Sequence, residues 1–255
     1  SLCTYFNAFP AGYWRHWTRV KHLRFSARVS GAGTLTLFQS TARGLSAPVR
    51  TFTVHTESAS DSTATPQDIE SILSIKGMLD GGYYWLDAQA DKNSTLTISH
   101  ALWQGPVTDR RAAHAGTGSV AITTFNRPSC LNQLRTIAHE EELRKHLDTI
   151  YCTDQGTDLV QTQDGFDEVS KDLGKQLTYI RQGNLGGSGG FSRGMYETVR
   201  AQKSDYTLLL DDDAISEPES ILRAVQFADY TVRPSLVGGG MFHIDHRTVL
   251  HVQGE

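Results

Sequence analysis

Apolar and polar residues alternate through the first part of the chain. In "LRFSARVSG" the residues Leu23, Phe25, Ala27 and Val29 fall on one face, in "GTLTLFQS" Leu35 and Leu37 do, and in "STLTISHALW" Leu96 and Ile98 do. A period of two is the signature of strands with one buried face. The turn-forming sets "SGAG", "DGG" and "ADKNS" lie between the runs and predict that one strand ends and another begins at each. The polar segment "TESASDSTATPQD" reads as a surface loop. Short strands with little helix predict an all-β unit of β-sandwich or jelly-roll type over residues 1–107.

The rhythm changes after a linker at 108–117, within "VTDRRAAHAGTG". "SVAITTF" predicts a strand, the region from Cys130 to Leu147 a helix, and "TIYCTDQG" a strand ending in turn residues. "DGFDEVSKDLG" then predicts a helix, "LTYIRQ" a strand, "FSRGMYETVRAQ" a helix and "YTLLL" a strand. "EPESILRAVQFADYT" supplies another helix with Pro218 near its start, and "SLVGGGMFH" a further strand. Strands alternating with helices over 118–255 imply an α/β unit with a mostly parallel sheet.

Composition narrows the partners. A chain of 255 residues that is 38% hydrophobic can build one large core or two smaller ones. A net charge of -4 with scattered Lys and Arg argues against nucleic acid as a partner, because phosphate neutralisation needs clustered cations. No apolar run approaches the ~20 residues that span a bilayer, and "SLCTYFNAFP" lacks the basic and apolar regions of a signal peptide. Cys3, Cys130 and Cys152 are odd in number and widely spaced, which favours a reducing compartment over a disulfide framework.

In parallel α/β sheets ligands bind beyond the carboxyl ends of the strands. Four polar clusters fall there: "TTFNRP", "TDQG", "RQGNLGGSGG" and "DDD". Two strand-end aspartates with one residue between them can hold a hard divalent cation, and strand alternation puts Asp211 and Asp213 on one face and Asp212 on the other. The alternative is an acidic helix start capped by Ser216 or Asp213. "GNLGGSGGFSRG" reads as a glycine-rich loop entering a helix, with Arg193 in the first turn free to meet a phosphate or a neighbouring carboxylate. It fits neither GxGxxG nor GxxxxGK[ST]. His243, His246 and His251 near the last strand are either metal ligands or ordinary polar residues.

The order of these motifs resembles the donor half of a GT-A (Rossmann-like) glycosyltransferase of family 2. "YFNAFPAGYWRHW", "DGGYYWLD", "TFNRP", "DQGTD", "NLGGSGGFSRGMYE", "DDDAISEPESILRA" and "LVGGGM" are similar to the polymerising galactofuranosyltransferases that build mycobacterial cell-wall galactan. The resemblance covers nearly the whole chain. It implies an inverting transfer from UDP-galactofuranose to a lipid-linked galactan acceptor, by a homo-oligomer in the cytoplasm at the inner face of the plasma membrane.

Carried over by position, Thr124, Arg127, Gln155, Asn184, Gly187 and Asp212 contact the donor, Asp211 and Asp213 hold Mn²⁺ or Mg²⁺, and Glu255 meets the acceptor. The family's general base, Trp-Trp segment and metal-completing histidine have no counterpart in the 255 residues. The expectation is therefore an N-terminal fragment whose catalytic base is unknown. Two other readings stand beside it: a sugar nucleotidyltransferase, and a non-catalytic carbohydrate- or nucleotide-binding module in which Tyr13, Trp14, Trp17, Tyr83, Tyr84 and Trp85 stack on sugars or pack a core.

Overall fold

A computed structural model describes residues 7–56, 65–246 and 249–253. The chain divides into two compact units, one of residues 1–111 with 230–233 and the other of 112–229 with 234–255. The acceptor residue expected at Glu255 lies outside the described residues, as does the middle of the polar segment before Gln67.

The first unit is organised by one long strand. After helix α1 (Ala11–Trp17), β1 runs from His22 to Ser40 with its inward residues buried at every second position. Its first half lies between β3 (Gln67–Ser74) and β5 (Leu96–Gln104), and its second half between β2 (Ser46–His55) and β4 (Tyr84–Ala90), all antiparallel. "SGAG" therefore does not end a strand, contrary to its reading as a turn. Gly31 pairs with Leu96 and has φ of 105°, and a Cβ there would fall on the carbonyl oxygen of Thr95. Glycine lets the strand pass from one pair of partners to the next where a neighbouring backbone comes too close for a side chain.

A jelly roll has eight strands; five are present in this unit among the described residues. Leu23, Phe25, Leu35 and Leu37 are at most 1% exposed, and burial of such side chains contributes about 1.5–3 kcal/mol each. Trp14 packs on Phe9 and Tyr230, and Tyr84 belongs to the same core. Trp85 stacks on Phe38, while Tyr13 and Tyr83 are exposed.

The second unit holds a four-stranded parallel sheet in the order β8-β7-β6-β9. Its strands are β6 (Gly118–Thr124), β7 (Leu147–Asp154), β8 (Leu177–Arg181) and β9 (Tyr206–Asp211). On one face, α2 (Leu131–His139), the short α3 (Glu141–Arg144) and α4 (Phe166–Leu173) bury Val120, Ile122, Ile150 and Cys152.

The other face carries α5 (Gly186–Ala201), in which "GGSGG" forms the opening turns rather than a loop. Glycine has poor helix propensity, and packing overrides it here. A Cβ on Gly190 would overlap the Thr123 side chain and one on Gly194 the Ala121 methyl, so α5 seats directly on β6. Helix α6 (Pro218–Tyr230) starts at its proline as expected. "SLVGGGMFH" does not extend the parallel sheet: among the described residues β10 (Gly240–Phe242) pairs only with β11 (Leu250–Gln253), antiparallel. No helix among the described residues is long and apolar enough to cross a membrane.

Candidate donor-binding site

Strand order reverses between β6 and β9, since β7 and β8 lie on one side of β6 and β9 on the other. In open α/β sheets such a reversal is where ligands bind, beyond the carboxyl ends of the two strands. Thr124 ends β6 and Arg127 follows it, while Asp211 ends β9 and Asp212 and Asp213 follow, so the first and fourth sequence clusters meet there. Arg127 Nη1 donates to Asp213 Oδ2 and lies 3.7 Å from Asp212 Oδ1. The side chains of Arg127 and Asp213 are 53% and 61% exposed, and Asp212 only 15%. Hydrogen bonding to Asp213, with the charges of Asp213 and Asp212, pushes the Arg127 guanidinium further above its usual value, so it stays protonated.

The strand ends at Asp211, and Asp212 and Asp213 lie in the turn that follows. Simple strand alternation therefore does not govern the trio, and Arg127 reaches Asp212 as well as Asp213. Neither proposed cap is used as one: Asp213 is held by Arg127, and the Ser216 hydroxyl meets Gln133 Nε2 at 3.3 Å.

The second and third clusters are tied together by Gln155, which is 6% exposed. Its amide donates to Thr123 Oγ1 (3.2 Å) and the Gly186 carbonyl (3.0 Å), while Oε1 accepts from Gln182 Nε2 (3.1 Å) and the Leu185 N–H (2.8 Å). Two donors and two acceptor positions are all that a carboxamide has. In this arrangement Gln155 shapes the approach to α5 rather than presenting a free edge. Asn184 is exposed and its Oδ1 accepts from the Gly186 N–H at 2.9 Å; Gly187 is exposed with open space around it. Thr124 Oγ1 donates to the Arg127 carbonyl at 3.1 Å, which bends the chain after β6.

Asp154 was not singled out from the sequence, although it stands inside "TDQG" and the structure buries it completely. Its carboxylate accepts from the N–H groups of Gly156 and Val160, both at 2.9 Å, from Tyr179 Oη at 2.5 Å and from Arg181 Nη1 at 3.1 Å. Burial, then the bond to Asp154, pushes the Tyr179 phenol far above its usual value. Asn126, at φ 52°, accepts from the N–H groups of Thr157 and Asp158 and locks the β6 and β7 ends together. Beneath them the thiol of Cys152 contacts Cys130, which with burial holds it protonated, and both cysteines are free.

Arg193 sits eight residues into α5 and pairs with Glu197, the carboxylate alternative of its two readings. On the β10–β11 hairpin the ring of His243 lies 5.8 Å from that of His246 and 6.1 Å from that of His251. Among the described residues no three His, Cys, Asp or Glu side chains are placed to hold a metal ion.

An open parallel sheet flanked by helices, with polar loops at the carboxyl ends of its strands, defines a doubly wound α/β unit. Residues 116–253 match the family model described as "Glycosyltransferase like family 2", and residues 1–106 match "Galactofuranosyltransferase 2 N-terminal". The chain belongs to glycosyltransferase-like family 2. Among curated proteins it is 34% identical over 256 residues to galactofuranosyltransferase GlfT2 of Mycolicibacterium smegmatis, and 34% identical over 258 residues to GlfT2 of Mycobacterium tuberculosis. All of this chain is covered in both matches, and it spans 38% and 39% of those relatives' length. Among solved structures, a mannosyltransferase from Pyrobaculum calidifontis overlays 51% of this chain and 36% of its own at 16% identity, with a TM-score of 0.36, too loose for any inference.

Proposed function

We propose that this chain is the donor-binding part of an inverting, metal-dependent galactofuranosyltransferase, which moves galactofuranose from UDP-galactofuranose to a growing cell-wall galactan. The observation that carries the reading is the meeting of Arg127 with the acidic turn at the β6/β9 switch point, in a chain whose two parts match a galactofuranosyltransferase model and a family 2 model. An exposed guanidinium beside two carboxylates suits a ligand that brings both cationic and anionic groups, as a metal diphosphate does.

In this reading Asp211 and Asp213 offer hard oxygen donors to Mn²⁺ or Mg²⁺, both being exposed. A divalent cation bound there supplies positive charge opposite the departing UDP. Arg127, freed from Asp213, turns to the nucleotide together with Thr124, Asn184, Gly187 and Asp212. Gln155 acts through the Leu185–Gly186 backbone it fixes. Glu255 is assigned to the acceptor, a lipid-linked galactan at the cytoplasmic face of the membrane, and the working form is a homo-oligomer. The general base that takes the acceptor's proton is not assigned to any residue of this chain.

Radiolabelled UDP-galactofuranose with a galactofuranosyl acceptor and Mn²⁺ tests the reading. A polypeptide carrying this chain at its relatives' full length should move label into longer glycan. Release of pyrophosphate from UTP and a sugar 1-phosphate would instead make it a nucleotidyltransferase.

A further inference from the structure

Helix α2 carries a polar residue where its core face should be apolar. Gln133 is 4% exposed beside the buried Leu134 and Ile137. A carboxamide in that position is costly unless its hydrogen bonds are made. Its Nε2 lies 2.6 Å from the Ala214 carbonyl, 3.0 Å from the Asp211 carbonyl and 3.3 Å from Ser216 Oγ. All three acceptors belong to the segment that carries the aspartates from β9 toward α6.

We propose that Gln133 is a positioning residue for the cation and diphosphate: from beneath the turn it fixes the backbone that sets the spacing of Asp211 and Asp213. The inference rests on the donor-site reading above. Two carboxylates repel each other when no cation lies between them, and a site binds tightly only when their separation is held in advance. Gln133 touches neither cation nor nucleotide; it acts through the Asp211 and Ala214 carbonyls.

The test is calorimetric titration of UDP with and without Mn²⁺ on the wild-type chain and two variants. Gln133→Met keeps length and apolar stem but cannot donate. Its Mn²⁺-dependent gain in UDP affinity should fall about tenfold, the scale of one or two net hydrogen bonds, with metal-free UDP affinity changed less than about twofold. A merely structural role would lower both affinities together.

Gln133→Asn keeps the carboxamide but withdraws it by one methylene from the Asp211 and Ala214 carbonyls, and its Mn²⁺-dependent gain should fall in the same way. An undiminished gain in either folded variant overturns the proposal. If the Met variant does not fold, the Asn variant decides. A wild-type chain with no Mn²⁺-dependent gain overturns the donor-site reading, and this inference with it.

Discussion

Removing Arg127 should make the bare site bind metal better and the nucleotide worse. In the structure the guanidinium bonds to Asp213 and lies 3.7 Å from Asp212, so it occupies one of the two carboxylates that the cation needs. Any cation at Asp211 and Asp213 must first displace it. The pair is half exposed on both sides, at 53% and 61%, and exposed ion pairs shift equilibria only modestly, by roughly two- to fivefold. Arg127→Gln should therefore tighten Mn²⁺ binding without nucleotide by about two- to fivefold, and by less at high salt. With UDP present the displaced guanidinium gains the ligand as partner, and loss of a charge-assisted hydrogen bond should weaken UDP binding at saturating Mn²⁺ by about tenfold or more. Manganese titration followed by electron paramagnetic resonance, with and without UDP and at two ionic strengths, reads both effects. The reasoning is refuted if the substitution weakens metal binding without nucleotide, or if both affinities move in the same direction.

Two further outcomes follow from packing and charge. Gly190→Ala should destabilise the α/β unit by about 1–3 kcal/mol in chemical denaturation, because its methyl would land on Thr123; Gly187→Ala, facing open space in the same helix, should stabilise it by about 0.5–1 kcal/mol. Tyr179 is held protonated in the folded state by burial and by Asp154, while the unfolded chain releases that proton near the ordinary tyrosine value of about 10. Its contribution is therefore complete below that pH and falls as pH rises above it, since the folded state then binds more protons than the unfolded one. Tyr179→Phe should flatten the loss of stability between about pH 10 and 11.5 in urea denaturation, and an unchanged slope would contradict the assignment.

Much of the α/β unit was legible because its signals are local. "SVAITT", "TIYCTD" and "YTLLLD" are apolar runs that end in polar residues, and each is a strand with its cluster at the carboxyl end. Glycine misled twice for one physical reason. In "SGAG" and in "GGSGG" it marks a close approach between backbone or side-chain atoms and a neighbour distant in sequence, not a turn or a loop. Such contacts leave no trace in local periodicity.

Buried polar residues were hidden in the same way. Gln133 occupies the apolar face of α2, four residues before Ile137, and Asp154 closes an apolar strand; either position is a signal once a buried polar group is taken as a question about its partners. The meeting of Arg127 with Asp213 spans 86 positions of sequence and depends on strand order, which the pattern of elements alone did not supply.

The central claim is that Asp211 and Asp213 bind the cation that carries the donor diphosphate. Calorimetric titration of UDP into the wild-type chain and into the Asp211→Ala, Asp213→Ala double variant, each with and without Mn²⁺, tests it most directly. The account predicts that Mn²⁺ strengthens UDP binding to the wild type and leaves the folded double variant unaffected. A Mn²⁺-dependent gain that survives both substitutions would contradict it.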